Sequence, residues 1–177
     1  MSRFDSGLVA RALAALARPA AKPEPVELPD PVALAAALCR RFEGLRLAPY
    51  LCPAGVPTIG YGSTRYENGQ AVRLSDPPIT RERAEALLQW QLRAVVLPAV
   101  LRLCPGVQGA GRLAALMDFV FNLGAGRLAA STLRRRVNAG EWDLVPAELR
   151  KWVYSQGRKL GGLVARREAA IALMEGV

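Results

Sequence analysis

The sequence predicts an α+β domain: one N-terminal helix, a small β lobe, then a helical lobe. Three observations predict it. Apolar residues fall on one helical face directly after Asp30. Glycine and proline punctuate residues 50–64 too closely for a helix. Beyond Pro77-Pro78 the pattern is helical to the end, with Gly124 and Gly140 as stops.

Residues 1–29 read as a tail and linker outside the domain, which spans 30–177. Leu8, Leu13 and Leu16 recur at near-helical spacing, with Arg11 and Arg18 off that stripe. The prolines from Pro19 to Pro29 then favour extended chain. The apolar run Gly7–Ala17 contains Arg11 and falls short of the roughly 20 residues a spanning helix needs. Neither a signal peptide, nor a signal anchor, nor a transmembrane segment is expected.

Asp30-Pro31 is a helix start, because Asp can cap and proline suits the first turn. Val32, Ala35, Leu38, Cys39 and Phe42 share its inner face, and Gly44 ends it. Glu43 is therefore the last helical residue. A carboxylate there faces the negative end of the helix dipole, a suitable place for a proton donor. In residues 50–64, Val56, Ile59 and Tyr61 alternate with turn residues and predict a small β region. Thr80 caps a helix expected to run through Val96. Arg112–Leu123 is a very apolar helix, Ser131 caps the next, Trp142–Tyr154 forms a fourth, and Leu163–Met174 is the last.

Composition narrows the chemistry. The chain has 177 residues, 51% hydrophobic, enough for one domain with a core. Its +9 charge is almost all arginine; Lys22, Lys151 and Lys159 are the only lysines. Such a surface favours polyanions but does not choose among nucleic acid, lipid and cell envelope. Histidine is absent, which excludes Ser-His-Asp and Cys-His catalysis and any His-ligated zinc. Cys39, Cys52 and Cys104 form no CxxC pair, so neither a metal site nor a cofactor is expected. Arg134-Arg135-Arg136 belongs to no nucleic-acid motif, and no nucleic-acid partner is expected.

A turn at Pro53–Pro57 brings Cys52 and Thr58 back toward Glu43: an acid, a thiol and a hydroxyl beside a concave surface. Glycoside hydrolysis uses a proton donor and a second polar group across the sugar. The stretch from Phe42-Glu43-Gly44 to Tyr50-Leu51-Cys52-Pro53 and on through Thr58-Ile59-Gly60-Tyr61-Gly62 resembles the active-site segment of the phage lysozymes, glycoside hydrolase family 24. That pattern is Glu-x8-Asp-x5-Thr followed by IGYG, and this chain keeps everything but the aspartate, which is Cys52. Asp118–Gly126 with Ser131-Thr132-Leu133, and Arg150–Tyr154 with Gly161–Glu168, are two further resembling blocks in the same order.

The resemblance implies a muramidase that cleaves the β-1,4 bond between N-acetylmuramic acid and N-acetylglucosamine. Glu43 is then the acid, Thr58 holds the water, and Thr64, Phe121 and Thr132 contact substrate. Arg166 or Arg167 pairs near Glu43. Ser63 stands where the family often has a structural histidine. An endolysin of this kind is expected to be a monomer, to fold in the host cytoplasm, and to reach periplasmic murein through a holin lesion. Cys52 leaves a second reading open, a weakly active murein-binding or structural phage protein. Basic surroundings could lower its pKa, or a neutral thiol could place the water. Cys39, one helical turn before Glu43, is either core or a disulfide partner for Cys52.

Overall fold

The computed structural model describes residues 29–176. The expectations for residues 1–28 lie outside the described residues. Helix α1 spans Pro31–Glu43, and the Asp30 side chain accepts from the Val32 N–H at 2.9 Å. Gly44 closes it at φ +71°, which a glycine adopts without Cβ strain. Strands β1 (Arg46–Leu51) and β2 (Pro57–Gly60) form an antiparallel hairpin that pairs Tyr50 with Thr58 and Leu51 with Pro57. The β region thus starts before Tyr50, at Arg46.

Helix α2 (Arg81–Trp90) starts on Thr80, whose hydroxyl accepts from Arg83 N–H at 3.1 Å. It does not stop at Val96. A π-helical stretch, Gln91–Val96, leads into α3 (Leu97–Leu103). Pro98 lacks an N–H and would clash in a regular helix interior. The wider π turn, with Leu97 N–H reaching the Leu92 carbonyl, carries the helix past it. Among the described residues, the continuous helix Arg81–Leu103 is long and apolar enough by composition to cross a membrane. Its Leu88, Leu92, Val96 and Val100 face the protein core.

Helix α4 (Ala110–Leu123) is the central element: every residue from Ala114 to Val120 is buried, Asp118 included. It packs against α1, α3 and the last helix, α8 (Gly161–Glu175). Between them lie α5 (Ala125–Ala129), α6 (Thr132–Asn138) capped by Ser131, a short 3-10 turn at Trp142–Leu144, and α7 (Val145–Arg150). The fourth predicted helix is therefore split and ends early. Tyr154 lies instead in β3 (Tyr154–Ser155), paired with β4 (Arg158–Lys159). Gln156 and Gly157 both have positive φ, at 50° and 74°, the geometry of a tight primed hairpin turn.

One large apolar cluster joins α1, α2, α4, α6, α7 and α8, with Phe119 and Trp152 meeting edge to face at 5.2 Å. A smaller cluster of Ile59, Val72 and Leu87 fastens the β lobe to α2. The expected α+β architecture is the one observed.

Candidate active site

Glu43 ends α1 at the junction of the two lobes. Its Oε1 accepts from Arg166 Nη1 at 2.5 Å, and its Oε2 faces Gly62, where an added Cβ would lie 3.9 Å away. The loop carrying Gly62 is fixed by paired backbone bonds between Ile59 and Ser63 at 2.9 and 3.0 Å. Gly60 and Gly62 turn it with φ of 67° and 101°, values that L side chains rarely adopt. Ser63, in the place of the absent histidine, donates to Gln91 Oε1 at 3.0 Å and ties the loop to the π stretch.

Arg166 is the partner left open between two arginines. It is 3% exposed, and its Nε lies 3.0 Å from each oxygen of the fully buried Asp118. Burial opposes its charge, but the Asp118 hydrogen bond and charge, then Glu43, outweigh burial and raise its pKa above the usual guanidinium range. Arg167 instead donates from Nε to the Trp152 carbonyl at 3.2 Å and from Nη2 to Asn122 Oδ1. Burial pushes Arg167 down to about 10, so it remains cationic at any physiological pH. Asp118 was missed as a functional residue. The available signal is a lone carboxylate inside the otherwise apolar run Leu113–Phe121, which demands a buried partner.

Cys52 sits just past β1, where its carbonyl accepts from Gly55 N–H at 2.8 Å and its N–H reaches Val56 O at 3.1 Å. Cys52 as a residue is partly exposed. The N–H groups of Val56 and then Ala54 lower its pKa; slight burial opposes them, and the Thr58 hydroxyl adds to the lowering. Backbone donors, rather than an arginine, create this environment. Thr58 is 2% exposed, and its hydroxyl donates to the Val56 carbonyl at 2.8 Å. Tyr50 connects the two sides. Burial raises its hydroxyl pKa, Arg46 beside the ring lowers it, and the negative groups Glu43 and Cys52 both raise it.

The other predicted residues are more dispersed. Thr64 is exposed and its carbonyl accepts from Val72 N–H at 2.9 Å. Phe121 is half-buried and packs on the main core. Thr132 is half-buried at the start of α6 and accepts from Arg135. Among the described residues none of these three hydrogen-bonds to Glu43, Cys52 or Thr58. All three cysteines are free thiols, and Cys39 is fully buried with its pKa raised, mainly by burial.

A helix-end glutamate, a β hairpin with a fixed glycine loop, and a buried arginine behind the acid now stand together. The family model described as Phage lysozyme matches residues 40–170. The chain belongs to the phage lysozyme family. It is 37% identical to an endolysin of Acyrthosiphon pisum secondary endosymbiont phage 1, over 78% of this chain and 92% of that protein. It is 34% identical to a SAR-endolysin of bacteriophage PS119, over 72% of each. Among solved structures, an endolysin from Escherichia coli O157:H7 phage FAHEc1 superposes with a TM-score of 0.70 at 29% identity, covering 81% of this chain and 92% of that one. A P22 lysozyme mutant gives 0.68 at 28%, covering 80% and 94%. This lysozyme is a glycosidase of the endolysin type that hydrolyses peptidoglycan and acts on the cell wall.

Proposed function

We propose that Glu43 protonates the leaving glycosidic oxygen when the enzyme cuts the β-1,4 bond between N-acetylmuramic acid and N-acetylglucosamine. One observation carries the assignment: Arg166 fixes Oε1 and leaves Oε2 toward the β lobe, where Cys52 and Thr58 stand. Cys52 takes the place of a carboxylate. In its thiolate form, which the Val56 and Ala54 N–H groups favour, it opposes the positive charge that develops on the sugar and orients a water with Thr58. An ordinary thiol is only a few per cent ionised at pH 7, so the lowered pKa matters to this role. Thr64, Phe121 and Thr132 contact the glycan on either side. The catalytic unit is assigned to residues 30–177. Reducing-sugar release from purified murein tests the reading. Wild type should release sugar while Glu43→Gln and Cys52→Ser lose nearly all of it; full activity in Glu43→Gln would overturn it.

We further propose that the enzyme works as a monomer, folds in the host cytoplasm, and reaches periplasmic murein through a holin lesion. A second, competing route needs no holin. Expression alone separates them: lysis without a co-expressed holin would favour the second route, and lysis only with one the first.

A further inference from the structure

We infer that Glu85 is a positioning residue: it ties the last turn of α1, which carries Glu43, to the glycine loop that Glu43 faces, and so sets the gap in which the acid meets the glycosidic oxygen. The inference rests on Glu43 as the acid. Glu85 lies on α2, and its carboxylate is shared. Arg40 donates from Nε to Oε2 at 2.8 Å and to Oε1 at 3.1 Å. The Tyr61 hydroxyl donates to Oε1 at 2.6 Å. Among the described residues no other side chain hydrogen-bonds to both α1 and the loop.

Each end of this link sits beside the acid. Arg40 stands three residues before Glu43, in the last turn of a helix that Gly44 ends. The carbonyls of such a turn have no onward helical partners, and helix ends fray. Arg166 orients the Glu43 carboxylate but makes no bond to the loop. Tyr61 directly precedes Gly62, the residue that faces Glu43 Oε2. The loop lies along α2: a Cβ on Gly60 would stand 3.4 Å from the Ala84 Cβ, and Ser63 bonds to Gln91. Those contacts fasten the loop to α2, and Glu85 carries the fastening on to α1.

The chemistry suits the task. Burial opposes the Glu85 charge, yet the Tyr61 and then the Arg40 hydrogen bonds outweigh it and hold the carboxyl below the usual carboxylate range. Glu85 is therefore an anion at neutral pH and accepts from both partners. The Arg40 pair is largely solvated, and pairs of that kind contribute little to stability. Geometry at the acid is worth more, because misplacing a reacting group by about 1 Å can cost on the order of a hundredfold in rate.

The test is a double-mutant cycle read in kcat and KM on purified murein. A link broken at one end is already broken. Arg40→Met and Tyr61→Phe should therefore each lower kcat about tenfold with KM held within about twofold, and the double variant should fall no further. Glu85→Ala should match the double variant. Arg40→Lys, which keeps the charge, should recover part of kcat. Melting temperatures taken alongside should not rank the variants in the order of their kcat. A fall of about a hundredfold in the double variant would show two independent effects and overturn the inference. So would an unchanged kcat in either single variant, a loss carried by KM, or losses that track the melting temperatures. Full activity in Glu43→Gln would instead overturn the acid assignment, which a failed cycle leaves standing.

Discussion

Arg166 holds Glu43 from behind, Nη1 to Oε1 at 2.5 Å, while the buried Asp118 holds Arg166. The acid is thus oriented from the helical lobe, and a residue far along the chain sets its direction. Arg166→Ala would leave the Asp118 carboxylate buried without its main partner. Removing one member of a buried ion pair costs about 3–5 kcal/mol. The expected result is a loss of that order in urea unfolding and a fall in kcat. Arg166→Lys should restore part of the stability but not the rate, because one ammonium cannot reproduce the fork toward both carboxylates. An unchanged kcat in Arg166→Lys would argue against a positioning role.

The thiol gives a pH prediction. Hydrogen bonds to the charged form lower the pKa of Cys52, so its thiolate fraction rises from a lower pH than in a free cysteine. Cys39 and Cys104 are fully buried, so iodoacetamide should modify Cys52 first and abolish activity with it. The inactivation rate plotted against pH should have its midpoint below the ordinary thiol value of 9.0. A midpoint at or above that value would contradict the backbone-donor account.

Substitution at the same position separates charge from shape. Cys52→Asp supplies a full carboxylate and should retain activity, with the profile extended to lower pH. Cys52→Ser keeps the shape but ionises far less and should lose most activity. Unchanged lysis by Cys52→Ala would remove any role for this residue. Thr58→Val is the companion test. It deletes a bond to the Val56 carbonyl of about 1 kcal/mol and the hydroxyl beside the thiol, whereas Thr58→Ser should keep both.

What the sequence made legible was mostly local. The caps at Asp30, Thr80 and Ser131 each satisfy an N–H two or three residues away, so their side chains carry the signal. The hairpin follows from closely spaced glycine and proline. The Glu43 partner, by contrast, comes from 123 residues away, and the Asp118–Arg166 pair spans 48. No periodicity reports such a contact, which is why two arginines stayed open. The helix stop at Val96 failed because a π turn absorbs Pro98, a backbone solution with no composition of its own. Tyr154 was misplaced for a related reason. Its strand is two residues long, and Gln156-Gly157 is a weaker turn signal than Asn-Gly.

The last helix closes against the first turn of α4, and one glycine makes that approach possible. A Cβ on Gly111 would lie 2.1 Å from the Leu173 carbonyl oxygen, which is backbone and cannot swing away. Alanine is the better helix former by about 1 kcal/mol, so propensity alone favours Gly111→Ala. The clash should win, because overpacking a fixed backbone costs about 1–3 kcal/mol. Gly126, in α5, has open space around its Cβ position and no positive φ. Gly126→Ala should therefore stabilise by about 0.5–1 kcal/mol. Thermal melts of the two variants should move in opposite directions. A rise in Tm for Gly111→Ala would mean that α8 does not pack this closely on α4.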